Sequence, residues 1–220
     1  LLLHTLARLV LVPLSRMAFR PTIEGREHVP RTGPVILAAN HLSFVDSFLI
    51  PLLSPRPVVF LAKAEYFEQP GVSGFLARTF FTAIGAVPVQ RGAHRGAQGA
   101  LDQALDVLAD GGAFGIHPEG SRSRDGRIYR GRTGVAWLAL ASGAPVVPVA
   151  IIGSDRIQPI GAWLPRPGRI TVRFGPPMSF EPAPGNANQA RRAITDDIMA
   201  AIGELSGQPA AVGFNELSAA

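Results

Sequence analysis

Short, β-branched apolar runs recur along this chain at Pro34–Ala39, Val58–Ala62, Ala86–Val89, Ala113–Ile116, Val146–Ile152 and Ile170–Phe174. Runs of that length and make-up, bounded by turn residues, read as strands. One of them, Val146–Ile152, is apolar at every position and reads as a core strand covered on both faces. Between the runs, helical periodicity fits Asp46–Leu53, Gly74–Phe81, Gln98–Leu108, Val135–Ala141 and Asn188–Leu205. Strands alternating with helices predict an α/β fold, a single domain with a central mostly parallel or mixed sheet flanked by helices. At 220 residues and 47% hydrophobic, the chain has enough apolar material for one full core.

The ends differ from this body. Leu1 to Phe19 is strongly apolar, yet Arg8, Pro13 and Arg16 interrupt it, which argues against a clean spanning helix of roughly 20 residues. On a wheel of ~100° per residue, His4, Thr5, Arg8, Ser15 and Arg16 share one sector of about 120°. That pattern predicts a helix lying in a membrane interface with its basic residues toward headgroups; a helix packed on the domain would look similar. Residues 1–20 are therefore expected to form an amphipathic membrane-associating helix, 21–205 the α/β domain, with a Pro-rich connector at Glu181–Gly185, and 206–220, rich in small residues, a flexible tail. A chain opening on leucine is expected to continue upstream.

No cysteine is present, so disulfides, thiolate nucleophiles and cysteine-ligated zinc are excluded. The formal charge is +5 and Lys63 is the single lysine, the remaining basic residues being arginines. Arginine suits multivalent anions, although codon usage alone can enrich it, so only clustered arginines count.

Two segments carry candidate chemistry, and each directly follows a predicted strand, where α/β proteins place ligands. In Asn40-His41-Leu42-Ser43-Phe44-Val45-Asp46, His41 and Asp46 would stand about 140° apart if both were helical. They can meet if His41 lies in a loop and Ser43 caps a helix with Asp46 at its third position, so that the imidazole folds back. The same residues also read as a plain capping box beside a solvated histidine. In His117-Pro118-Glu119-Gly120-Ser121-Arg122-Ser123, proline and glycine bracket one carboxylate and bring an arginine close behind it; a polar turn is the simpler reading. A third segment ends in Arg91, placed for a forked contact to phosphate, and a fourth, around Pro148, reads as packing.

Taken in order, these four segments resemble the PlsC-like glycerolipid acyltransferases, the family of 1-acyl-glycerol-3-phosphate and glycerol-3-phosphate acyltransferases. Asn40, His41 and Asp46 fit the family's N-H-x-x-x-x-D signature, and Pro118, Glu119, Gly120, Arg122 and Ser123 fit F-P-E-G-T-R-S. Gly85, Arg91 and Pro148 fall in order, and the stretches from Leu61 to Phe67 and Gly131 to Ala136 are similar too. The likeness covers roughly residues 20 to 180. Departures are Pro88 and His117, where phenylalanine is usual, and Ser121, where threonine is usual; they bear on which hydroxyl is acylated.

The resemblance implies an acyltransferase of phospholipid biosynthesis. It would move a fatty acyl group from a thioester, acyl-CoA or acyl carrier protein, to a hydroxyl of lysophosphatidic acid or glycerol 3-phosphate. His41 would be general base, with Asp46 fixing its tautomer. Arg91 and Arg122 would hold the acceptor phosphate, Glu119 would position the acceptor and Asn40 would order the loop. Ser43, Lys63, Gly120 and Ser121 complete the expected substrate-binding set. N–H groups near Ser43 are candidate oxyanion donors. No metal or nucleotide cofactor is expected, since no Walker loop, zinc spacing or dinucleotide fingerprint is present. Arg122, Arg124, Arg127, Arg130 and Arg132 cluster with only Tyr129 among them, which predicts a basic face toward anionic lipid rather than a nucleic-acid site. The expected location is peripheral or monotopic on the cytoplasmic face of the cell membrane. The rival readings are acylation of another lysophospholipid, a non-catalytic anionic-lipid-binding protein, and a serine hydrolase, for which no Gly-x-Ser-x-Gly elbow exists.

Overall fold

The computed structural model describes residues 2–89, 93–182 and 184–215, without the side chains of 2–8, 63, 66, 83, 89 and 93–97. Seven strands form one sheet: β1 (Thr22–Glu24), β2 (Val35–Ala39), β3 (Val59–Lys63), β4 (Ala86–Val89), β5 (Ala113–Ile116), β6 (Val146–Ile152) and β7 (Thr171–Phe174). Their order is β1-β7-β6-β2-β5-β3-β4. The pairs from β6 to β4 are parallel, as is β1 with β7, while β6 and β7 run antiparallel. The sheet is therefore mixed, within the α/β class the alternation predicts. β1 escapes the sequence reading because it is three residues long and carries no apolar run.

The helices are α1 (Leu2–Phe19), α2 (Asp46–Leu53), α3 (Glu65–Glu68), α4 (Gly71–Ala83), α5 (Ala93–Ala109), α6 (Gly134–Ser142), α7 (Ser154–Ile157) and α8 (Ala187–Ser206). They cover both faces, and β2 shows why both need covering. All five of its side chains are buried; Val35, Leu37 and Ala39 join one core with Leu49 and Leu53 of α2. Ile36 and Ala38 join the other, with Leu108 of α5, Leu138 of α6 and Ile198 of α8. The period-two alternation of a strand feeds two apolar cores, and each fully buried leucine or isoleucine is worth about 1.5–3 kcal/mol.

The N-terminal helix forms over the expected span and packs against α2 and α4, but it is rotated differently from the wheel reading. Ser15, placed on the polar outer sector from sequence, is buried, while Leu9, Val10, Leu14 and Met17 are exposed. Burying Ser15 costs little because its hydroxyl donates to the Val12 carbonyl at 2.9 Å. The side chains of His4, Thr5 and Arg8, placed on the same polar sector from sequence, lie outside the described set. No helix among the described residues is long and apolar enough to cross a membrane.

The expected flexible tail is also different. Residues 207–215 return across the molecule: Ile128 donates its N–H to Pro209 and accepts from Ala211, at 3.0 and 2.9 Å. Asn215, buried, donates to the carbonyls of Ser121 and Arg122. Phe214 lies under the guanidinium groups of Arg130, Arg132 and Arg192, 5.5 to 5.9 Å from its centroid. Small residues suggested fraying, but the backbone hydrogen bonds and the arginine stack hold this stretch as a strap.

Candidate active site

The carboxyl ends of β2, β5 and β6 lie side by side, because β2 sits between the other two. Ala38 is in register with Ile116, so the residues after β5 stand beside those after β2. The two chemically interesting segments thus converge, although 70 or more residues separate them in sequence.

Asn40 leaves β2 fully buried and pairs with β6 in both directions. Its amide nitrogen donates to the Ile151 carbonyl at 2.9 Å and its amide oxygen accepts from the Ile151 N–H at 2.8 Å. Its nitrogen also donates to Gln208 of the strap at 2.7 Å. Asn40 therefore fastens the strand end to the sheet and fixes where the next residue points.

That residue is His41, outside any helix, and its Nδ1–H donates to Asp46 Oδ2 at 3.2 Å. The loop geometry expected from sequence is what allows the contact. A carboxylate can only accept from the ring, so Nε2 is the nitrogen that keeps a lone pair. Asp46 Oδ2 also accepts from the N–H groups of Leu42 and Ser43, both at 2.7 Å. Burial alone would raise the Asp46 carboxyl; the His41 hydrogen bond and charge, with the Ser154 hydroxyl behind them, outweigh it and hold the group below its ordinary value.

One expectation for this turn needs correcting. Ser43 does not cap α2: the cap residue is Val45, in helical conformation. The Ser43 hydroxyl donates to the Gln158 carbonyl at 2.8 Å, and the residue is fully buried, so its hydroxyl holds the turn. The carboxylate half of the capping box forms, through Asp46 to the Ser43 N–H, and the hydroxyl half is lost to a tertiary partner. The N–H groups of Leu42 and Ser43 are likewise engaged by Asp46 Oδ2.

Glu119 is 1% exposed, and its two oxygens take different backbone donors, the N–H of His41 at 3.1 Å and that of Tyr129 at 2.9 Å. It therefore holds the loop that carries His41. Burial pushes its carboxyl up to about 7 against the pull of those two donors. Gly120 follows with φ of 79°, a left-handed conformation that lets the chain reverse behind the carboxylate. The reversal brings the Ser123 N–H onto the His41 carbonyl at 2.7 Å. Ser121 and Arg122 are partly exposed, their carbonyls held by Asn215. Lys63 ends β3, but its side chain, like all of Arg91, lies outside the described residues.

Sequence reasoning missed two contributors. Ser154, fully buried, reaches the site because Gly153, at φ 89°, turns β6 straight into α7; the only signal was a Gly-Ser pair after a core strand. His117 stacks on His41 with centroids 3.9 Å apart and planes within 6°. Among the described residues no three His, Asp or Glu side chains converge as a metal would require.

The chain as a whole is similar to known proteins. The family described as Acyltransferase matches residues 20–152, a span holding the His41 turn, Glu119 and all of β6. The chain belongs to this acyltransferase family. The PlsC-like resemblance of the four segments agrees with it. This family member is 28% identical, over 82% of its length, to the chloroplastic 1-acyl-sn-glycerol-3-phosphate acyltransferase LPAT1 of Arabidopsis thaliana, covering 49% of that protein. It is 34% identical, over 70% of its length, to a 1-acyl-sn-glycerol-3-phosphate acyltransferase of Chlamydomonas reinhardtii, covering 45%. The chain thus spans about half the length of the curated relatives it matches. The crystal structure of the 1-acyl-sn-glycerophosphate (LPA) acyltransferase PlsC from Thermotoga maritima superposes with a TM-score of 0.64 at 28% identity, covering 84% of this chain and 71% of that one.

Proposed function

We propose that this PlsC-like protein acylates lysophosphatidic acid, or glycerol 3-phosphate, from a thioester donor, acyl-CoA or acyl carrier protein. The carrying observation is the His41–Asp46 pair at a strand end: Nδ1 is tied down and Nε2 keeps its lone pair. The relatives' names support the acceptor class.

In this reading His41 Nε2 takes the proton of the acceptor hydroxyl as that oxygen attacks the thioester carbonyl. The imidazolium then forms beside the Asp46 carboxylate, which accepts its Nδ1–H throughout. Collapse of the tetrahedral adduct breaks the C–S bond, and the leaving thiolate recovers the proton from Nε2. No acyl-enzyme is required. Asn40, Glu119 and the turn N–H groups keep the pair aligned, while Arg122 and Arg91 are the proposed holders of the acceptor phosphate.

The substrates suit a membrane surface, and the exposed apolar side chains support that location. Leu9, Val10, Leu14 and Met17 of α1 and Val72, Phe75 and Leu76 of α4 are all at least 50% exposed, on helices that touch. Such a surface, with Arg16 and Arg78 also exposed, fits peripheral or monotopic seating on anionic lipid at the cytoplasmic face.

The test is thiol release from palmitoyl-CoA, and from palmitoyl acyl carrier protein, with each acceptor in turn. Acceptor-dependent release should fall about 10²- to 10⁴-fold in His41→Ala. Near-normal release by that variant removes His41 as the base, and no release with any pairing of donor and acceptor favours a lipid-binding protein without catalysis.

A further inference from the structure

His117 is a titratable side chain that the mechanism above does not use, and its surroundings are unusually well defined. It directly follows β5, so the sheet register sets it beside the β2 end. Its Nδ1 lies 3.2 Å from the Ala39 carbonyl and 3.0 Å from the Asn40 carbonyl. Carbonyls only accept, so Nδ1 carries the hydrogen. Nε2 is then the acceptor and receives the Ser47 hydroxyl at 3.2 Å. Both ring nitrogens are thus engaged, from β2 on one side and α2 on the other, and Phe60 of β3 packs against the ring at 5.3 Å.

A ring held this firmly offers its flat face to His41, nearly parallel at 3.9 Å. The charged and titratable groups around the pair are few. Asp46 on α2 bonds His41 directly, and Glu119, two residues after His117, bonds the His41 N–H. Burial, and then the neighbouring His41, pull the His117 imidazolium down to about 3, although Asp46 and the two carbonyls favour it. His117 therefore stays neutral across the range in which such an enzyme would work. It cannot compete for the proton that His41 takes, and a neutral aromatic face next to an imidazolium is favourable.

We infer that His117 is a positioning residue for His41: its tethered ring is the platform that fixes the plane of the His41 imidazole toward Asp46 and faces the imidazolium when it forms. The inference rests on the base role proposed for His41. The tethers set the platform's own orientation, and the face acts on its neighbour. A platform of this kind affects the step in which His41 moves a proton, not the binding of either substrate.

The experiment compares His117→Phe, which keeps a face and loses the tethers, with His117→Asn, which keeps a donor and loses the face. His41→Ala is measured alongside. We expect His117→Asn to lose at least tenfold in kcat with KM for donor and acceptor within twofold, and His117→Phe, whose face remains but is no longer tethered, to lose about threefold. Equal losses in both variants, or wild-type kcat in His117→Asn, overturn the platform. A second readout needs no activity: long-range ¹H–¹⁵N spectra of histidine-labelled protein should show His117 as the Nδ1–H tautomer, unchanged between pH 5 and 9. An Nε2–H tautomer, or titration within that range, overturns it as well. If His41→Ala keeps its turnover while the spectra are as expected, the base role has failed and the stacked, tethered geometry has not.

Discussion

Two buried carboxylates flank His41 and answer to pH in opposite directions. Asp46 is held below its ordinary value, so the stability it contributes is present above about pH 4, where the unfolded group ionises, and is lost as pH falls. Glu119 is raised from 4.5 to about 7. The folded chain then holds a proton that the unfolded chain has released, so its contribution is full below about 4.5 and disappears as pH rises through 7. A shift of that size corresponds to on the order of 3 kcal/mol. Denaturant unfolding of wild type and Glu119→Gln across pH 4.5 to 8 should show the decline in wild type and its absence in the variant, whose amide stays neutral throughout; parallel curves would refute the assignment. Asp46→Asn tests the other carboxylate. Three N–H donors converge on one Asp46 oxygen, and loss of the charge should cost about 2 kcal/mol, seen as a Tm lower by roughly 4–8 °C. Turnover should fall about 10²-fold or more, and a variant with wild-type kcat would show that the pair is only structural.

The elements that sequence periodicity made legible are those with long apolar patterns. β2, β5 and β6 are buried on both sides, so their composition announces them, and α5 and α8 exceed their expected ranges by a few residues because helix ends are the least sharply signalled part of the pattern. The His41–Asp46 pairing was legible as one of two local readings, a loop followed by a helix, the other being a plain capping box beside a solvated histidine. Contacts made across the fold were not. Ser43 gives up its cap for the Gln158 carbonyl, 115 residues away, and Glu119 reaches back to the His41 N–H, 78 residues away. No local pattern encodes either partner. The strap from 207 to 215 belongs to the same class, since its polar side chains gain partners only once the sheet exists. Gln208 accepts from Asn40 and donates to the Gly126 carbonyl at 2.7 and 2.8 Å, linking the two loops of the site. Gln208→Ala should therefore cost about 2 kcal/mol and lower kcat several-fold, with KM little changed. Thermal melts and steady-state kinetics check this, and a variant indistinguishable from wild type in both would reduce the strap to a bystander.

At the scale of the molecule, the apolar surface and the His41 turn are joined through packed rings. Phe44 of that turn packs edge-on against Phe48 of α2 at 4.7 Å, and Phe48 meets Phe80 of α4 at 5.4 Å, so the helix exposing Val72, Phe75 and Leu76 is joined to the turn by rings. A loop after α7 reaches the same neighbourhood, because Gly168 donates its N–H to the Ala18 carbonyl at the end of α1, 3.0 Å away. That loop carries Trp163, 90% exposed, with Leu164 beside it at 66%. An indole in water at such a position is costly unless a lipid interface receives it, where tryptophan is favoured. The chain has two tryptophans, and Trp137 sits partly buried on α6. Vesicles containing anionic phospholipid should therefore blue-shift and strengthen the emission of wild type, and the change should vanish in Trp163→Phe. Sedimentation with the same vesicles should weaken about a hundredfold in a Leu14→Ser, Phe75→Ser double variant, since two apolar anchors at ~1.5 kcal/mol each would be lost from the lipid. Neutral vesicles should capture less protein than anionic ones, and the difference should shrink as salt is added, because Arg16, Arg20 and Arg78 are exposed on or beside these helices. Emission that ignores vesicles, with pelleting unchanged in the double variant, would place the lipid contact elsewhere on the molecule and leave this apolar surface without that role.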